Sequence, residues 1–232
     1  MSYKTVCVAG GGVLGSQIAF QAAYCGFDVT IWLRSEGSIG RTQPKIDHVR
    51  EEYIAAIEGM ADGTGEWCSG IADSGKPFDK EVALAAVERA YSTLKLELDL
   101  AKAVADADLV IESMAEDTQA KIDFYKKLAP VLPQKTVVVT NSSTLLPSTF
   151  AKYTGRPEKY LSLHFANSIW KNNMTEVMAQ DQTDKRYFDE LVDFANDIRM
   201  LRCPSTRKRT AICSTPCWYR GCFRALICTS RA

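Results

Sequence analysis

The sequence predicts an α/β fold: a doubly wound, mainly parallel sheet with helices on both faces. Three observations carry that prediction. Short apolar runs alternate with helix-length amphipathic segments through most of the chain. The runs at 4–9, 108–112 and 136–140 are near-continuously apolar, as strands covered on both faces are. A glycine-rich loop, Gly10-x-Gly12-x-x-Gly15, joins the first run to the first helical segment. A chain of 232 residues, 46% of them hydrophobic, suffices for one sizeable core.

The elements follow in order. Residues 4–9 read as a buried strand and 13–24 as a helix, with Leu14, Ile18 and Ala22 on one face and Gly26 ending it. A second strand is expected at 28–33. Residues 44–60 read as a helix, because Ile46, Val49, Tyr53 and Ile57 recur at three- and four-residue steps. Residues 59–77 hold five glycines and read as a long loop, followed by a helix at 79–91. Strands at 108–112, 136–140, 161–165 and 175–178 and helices at 118–132 and 184–197 complete the pattern.

Lys+Arg and Asp+Glu both number 28, so the net charge is zero. Nothing in that balance points to nucleic acid or to an anionic membrane surface. No apolar run approaches the ~18 residues of a membrane span. The first residues enter a strand directly, without signal-peptide architecture, so the expected location is cytoplasmic. Of eight cysteines, Cys7, Cys25 and Cys68 are scattered, and the other five crowd the last thirty positions. No Cys-x-x-Cys pair or nearby histidine accompanies them, so no metal site is expected.

The glycine loop carries the first chemical signal. A Gly-x-Gly-x-x-Gly that follows a strand and opens a helix marks a Rossmann-type dinucleotide site. Gly10 permits the tight turn, Gly12 lets the backbone approach a pyrophosphate, and Gly15 lets helix and strand pack closely. Val13 and Leu14 open the helix whose free N–H groups face the phosphates. At the end of the second strand, an Asp or Glu commonly holds the ribose hydroxyls of NAD. Here Leu33 stands there, followed by Arg34 and Ser35. Leu33 accepts no hydrogen bond, whereas Arg34 and Ser35 suit a 2′-phosphate. The cofactor is therefore expected to be NAD(H) or NADP(H), with residue chemistry leaning to NADP(H).

The second signal is a proton-transfer group. His164, one of only two histidines, ends the run at 160–164. Asn167 follows it, Glu176 lies downstream, and Asn141-Ser142-Ser143 lies upstream. A histidine titrates near neutrality, and a carboxylate partner stabilises its cation.

Taken in order, Gly-x-Gly-x-x-Gly, Leu-Val-Ile-Glu-Ser-x-x-Glu-Asp, Thr-Asn-Ser-Ser, Leu-His-Phe-x-Asn and Thr-Glu-Val resemble the NAD-binding domain of the 3-hydroxyacyl-CoA dehydrogenases, over roughly residues 3–200. The resemblance implies an oxidoreductase of fatty acid metabolism that interconverts 3-hydroxyacyl-CoA and 3-ketoacyl-CoA. It implies His164 as general base, Glu176 as its orienting partner and Ser143 as a hydrogen-bond partner of the substrate oxygen. It also implies that Glu116, Lys121 and Asn141 line the nicotinamide-ribose site and that Asn167 shapes the substrate loop. Family members commonly carry Phe and Pro where this chain has Ala166 and Ser168. Trp170 is a candidate to fill the space at Ala166, and the substrate need not be an ordinary acyl thioester.

The family's second, helical domain also supplies dimer contacts and part of the acyl-CoA site. The expected division is a dinucleotide domain at 1–200 and an aberrant tail at 201–232. After Asp197 the chain has no acidic residue and eight Arg and Lys, with no helical stripe. Back-translating residues 203–220 with a two-base shift admits PIHKETDGYLLNSLLVP, the kind of opening the second domain has. The tail is therefore expected to be a frameshift product that removes the family-type homodimer interface and impairs turnover. Two alternatives stand beside this reading: a dehydrogenase of another 3-hydroxy acid, and a non-catalytic nucleotide-binding protein whose basic tail recruits an acidic partner.

Overall fold

The computed structural model describes residues 3–205. The frameshift reading falls almost wholly on residues outside that range. In chain order the elements are β1 (Thr5–Ala9), α1 (Val13–Tyr24), β2 (Asp28–Trp32), α2 (Glu36–Asp62), α3 (Lys80–Thr93), β3 (Lys95–Glu97), α4 (Leu100–Val104), β4 (Leu109–Glu112) and α5 (Thr118–Leu128). Then come β5 (Val137–Thr140), α6 (Pro147–Phe150), β6 (Tyr160–Phe165), β7 (Met174–Met178), α7 (Lys185–Asp197) and β8 (Leu201–Ser205).

The strands form one eight-stranded sheet in the order β3-β2-β1-β4-β5-β6-β7-β8. Every pairing is parallel except β6 with β7. Successive residues on each central strand feed opposite cores. Val6 and Val8, Leu109 and Ile111, Val137 and Val139 enter one cluster. Cys7 and Ala9, Val110 and Val138 enter the other. That is the two-residue period of a strand with both faces covered, and it explains why the middle of each run is apolar at successive positions. The strand order reverses between β1 and β4, so a crevice opens at their C-terminal ends.

Helix boundaries follow local chemistry. Gly26, at φ +96°, closes α1 in a Schellman motif: its N–H bonds Ala23 O and the Phe27 N–H bonds Ala22 O, at 3.0 and 3.1 Å. Asp79, Asp99, Asp117 and Asp184 cap α3, α4, α5 and α7 by accepting from first-turn amides.

Several boundaries differ from expectation. Helix α2 starts at Glu36, well before Pro44, which lies inside it. An interior proline costs about 3 kcal/mol in a helix. Here the buried face of Thr42, Ile46, Val49, Tyr53 and Ile57 carries the helix through. Helix α5 ends at Leu128, and a 3₁₀ turn containing Pro130 takes over. Strand β3 and helix α4 went unread because both are short and β3 has charged residues at both ends. Strand β8 pairs in parallel with β7 from Leu201, so the sheet extends past the expected boundary at residue 200. Among the described residues no helix is long and apolar enough to cross a membrane.

A Cβ on Gly15 would lie 2.1 Å from the Gly10 carbonyl oxygen. Gly15→Ala is therefore expected to lower the unfolding free energy by about 1–3 kcal/mol, read from the denaturant midpoint. An unchanged midpoint would show that α1 can move away from β1.

Candidate active site

The glycine loop lies at the crevice between β1 and β4. Gly10 has φ +119°, and a Cβ there would meet Ser113 O at 2.5 Å. At Gly12, the N-cap of α1, no atom lies within 4 Å of an added Cβ. The backbone there faces open space, and no side chain caps the helix. These residues fit a pyrophosphate, which needs close backbone approach and free N–H groups. Val13 is exposed and Leu14 packs against the core. Gly11, absent from the expected set, is the most crowded of the loop glycines. A Cβ there would lie 2.1 Å from Thr42 Oγ1, and that hydroxyl donates to Gly11 O at 3.1 Å. Helix α2 is thus held directly against the loop.

A cleft of about 240 Å³ runs from this loop along the end of β2. Gly10, Gly12 and Ser113 line one part of it. Leu33 and Arg34 line another, joined by Ser38, Arg41 and Lys45 from α2. Leu33 is only 3% exposed, and its N–H donates to Glu97 O at 2.9 Å. Ser35 does not line the cleft; its hydroxyl meets that of Ser38 at 3.1 Å. Ser38 and Arg41 escaped sequence reasoning because α2 was expected to begin at residue 44, and Lys45, inside that expected helix, stood without the neighbours that share its face. Their spacing places them on one helical face, a signal readable once the helix starts at Glu36.

The residues expected to transfer a proton assemble at the ends of β5 and β6. Half-buried His164 has Nε2 at 3.1 Å from Ser143 Oγ. The antiparallel pairing sets His164 directly opposite Glu176, which puts both side chains on one face of the sheet. Burial pushes the His164 imidazole below its usual value, and the nearby Glu116 carboxylate partly opposes that. That shift favours the neutral ring.

Glu116 was expected beside the nicotinamide ribose. In the structure it binds the loop that carries Ser143. It accepts from Ser142 Oγ at 2.6 Å, from the Ser143 N–H at 3.1 Å and from Thr144 Oγ1 at 3.3 Å. Asn141 is similarly engaged. Its Oδ1 accepts from the Phe165 N–H at 3.0 Å, and its Nδ2 donates to Ser113 Oγ at 3.4 Å, which ties together the ends of β4, β5 and β6.

Lys121, also expected to line the nicotinamide-ribose site, turns inward. It is fully buried, and its Nζ lies 2.6 and 2.7 Å from the two Glu112 carboxylate oxygens. Tyr125, Thr140 and the Met114 N–H also donate to that carboxylate. Lys121 is thus the buried counter-ion of Glu112 and does not line the cleft. Exposed Asn167 accepts from Asn172 Nδ2 through its own carbonyl at 2.9 Å. The turn it belongs to is tied to α1 by the Ser168 N–H on Gln17 Oε1, also at 2.9 Å. Buried Trp170 packs on Tyr53, with ring centroids 5.3 Å apart.

Comparison with known proteins agrees with this geometry. Residues 5–203 match the family model described as 3-hydroxyacyl-CoA dehydrogenase, NAD binding domain. The human mitochondrial hydroxyacyl-coenzyme A dehydrogenase is 28% identical over 83% of this chain and 55% of its own length. A 3-hydroxybutyryl-CoA dehydrogenase from Clostridioides difficile is 28% identical over 84% of this chain and 61% of its own. The chain thus spans little more than half the length of these relatives. Among solved structures, a diketoreductase acting on dicarbonyl compounds is 36% identical, with a TM-score of 0.73 over 92% of this chain and 68% of its own. The 3-hydroxybutyryl-CoA dehydrogenase from Escherichia coli is 25% identical, with a TM-score of 0.68 over 89% of this chain and 39% of its own.

Two measurements check the site. Lys121→Met leaves the Glu112 carboxylate buried without its cation and is expected to cost about 3–5 kcal/mol of stability. Pairing it with Glu112→Gln should recover much of that loss; a double variant as unstable as the sum of the two singles would contradict the coupling. NMR titration of His164 should give a midpoint below the ordinary 6.5. Because the unfolded state binds that proton more readily, stability falls as pH drops below about 6.5. A midpoint above 6.5 would show that neighbouring carboxylates outweigh burial.

Proposed function

The chain belongs to the 3-hydroxyacyl-CoA dehydrogenase family through its NAD-binding domain, and from that premise we propose that it carries the hydride- and proton-transfer half of a 3-hydroxyacyl-CoA oxidoreductase. The observation that supports this most directly is the 3.1 Å contact between Ser143 Oγ and His164 Nε2. It sits on strand ends beside a crevice fitted to a dinucleotide.

The Gly10–Gly12 turn and the N-terminus of α1 would hold the pyrophosphate. When bound, the nicotinamide cofactor supplies the hydride acceptor or donor. In oxidation, neutral His164 takes the proton of the substrate 3-hydroxyl; in reduction it returns it. Glu176, across the strand pair, stabilises the imidazolium. Ser143 hydrogen-bonds the substrate oxygen, and Glu116 holds the Ser143 loop in place. Asn167 shapes the mouth of the substrate site. Between the two nicotinamide cofactors, Leu33 favours NADP(H), since it offers no acceptor to the ribose hydroxyls of NAD(H).

A second reading concerns the substrate alone. The 36% identity with the diketoreductase, together with Ala166 and Ser168, favours a smaller dicarbonyl or 3-keto acid over a fatty acyl thioester.

Oxidation of NADPH and NADH by the 232-residue chain, with acetoacetyl-CoA and with free 3-keto acids, tests both readings. Slow but measurable turnover is expected, and His164→Ala should lower kcat by about 10²–10⁴-fold with cofactor Kd unchanged. Equal rates for the chain and for His164→Ala would refute the catalytic role and favour a nucleotide-binding protein. Activity confined to free keto acids would select the second reading.

A further inference from the structure

The cleft holds a concentration of positive charge that dinucleotide binding in general does not require. Arg34, Arg41 and Lys45 line it, and no carboxylate does. Among the described residues none of the three forms an ion pair. Ser38 lies between them, and Arg41 Nη2 donates to its hydroxyl at 3.0 Å, which orients the guanidinium. The Thr42 hydroxyl on Gly11 O fixes this face of α2 at a set distance from the pyrophosphate turn. At the end of β2, buried Leu33 occupies the place where an acidic side chain would repel a phosphate.

We propose that Arg34, Arg41 and Lys45, with the Ser38 hydroxyl, form a pocket for the phosphate monoester on the adenine ribose of NADP(H), an assignment that rests on the dinucleotide reading above. Converging cations without carboxylate partners suit a dianionic oxygen cluster, and guanidinium groups bind it through paired N–H donors. A 3′-phosphoadenosine group, as in coenzyme A, offers the same chemistry. Both adenosines are joined to a pyrophosphate, so the assignment to the 2′-phosphate follows from reading the Gly10–Gly12 turn as the pyrophosphate site of a nicotinamide dinucleotide.

Isothermal titration of the full chain with NADP⁺, NAD⁺, 2′,5′-ADP, 3′,5′-ADP and 5′-AMP tests this without any turnover. NADP⁺ is expected to bind about tenfold or more tightly than NAD⁺, and 2′,5′-ADP more tightly than 3′,5′-ADP or 5′-AMP. Arg41→Ala and Lys45→Ala should each raise the Kd of NADP⁺ about tenfold and leave that of NAD⁺ within about twofold. Arg34→Ala, on an exposed loop, should act in the same direction and keeps the test open if a helix variant misfolds. Equal affinity for NAD⁺ and NADP⁺, or equal weakening of both by the variants, overturns the phosphate pocket and leaves the dinucleotide reading standing. Tighter binding of 3′,5′-ADP than of 2′,5′-ADP overturns it in favour of coenzyme A. Failure to bind either dinucleotide overturns both readings.

Discussion

One carboxylate with no exposure to water, that of Glu112, sets the geometry on which both parts of the site depend. Removing such a group from water costs several kcal/mol unless charge and hydrogen bonds replace the lost hydration. Here Lys121 neutralises it, and Tyr125, Thr140 and the Met114 N–H fill its remaining lone pairs. The Met114 bond holds the β4 end that lines the cofactor cleft. Thr140 Oγ1, in turn, accepts from the Ser142 N–H at 3.2 Å and so anchors the loop bearing Ser143. A shift of Glu112 would therefore move cleft and proton-transfer group together. A network with every member satisfied is rigid, because each bond broken in a low-dielectric interior goes unreplaced.

The single antiparallel pairing does the second piece of positioning. A parallel strand beside β6 would need a long crossover. The reversal between β6 and β7 needs only the turn around Ser168, and it sets Glu176 directly across from His164. That turn is fastened to α1 through Gln17, the same helix that presents its N-terminus to the glycine loop. The proposed hydride and proton chemistry would thus rest on neighbouring ends of one sheet, with α1 bracing both.

Much of this was legible in the chain because the decisive information is local. Strand centres such as residues 109–111 are apolar at successive positions because each face meets a different core, and that pattern needs no partner to be read. Gly26 announces its own left-handed turn. The start of α2 was not legible: Pro44 argues locally for a helix beginning there, while the buried stripe from Thr42 to Ile57 that overrides it acts through tertiary packing. Missing that start hid Ser38 and Arg41 and left Lys45 without them. The burial of Lys121 was not legible either, because it depends on the Glu112 carboxylate that meets it in three dimensions. Glu116 carries no sequence mark of the loop it holds, since its partners lie more than twenty residues away.

On the proposed cofactor reading, Leu33 would change preference in two ways at once. Specificity is a difference of affinities, and it shifts when an attraction to one ligand and a repulsion of the other disappear together. An acidic side chain at the end of β2 attracts the ribose hydroxyls of NAD and repels a 2′-phosphate; a leucine does neither. The change is not simply reversible in this fold. Leu33 is 3% exposed and lies against the Gly11–Thr42 contact, so a carboxylate placed there would be stripped of water beside an apolar core, at a cost of several kcal/mol. The packing that seats α2 on the glycine loop thus also keeps the end of β2 free of acid, and leaves the cations of α2 to act on whatever the adenine ribose carries.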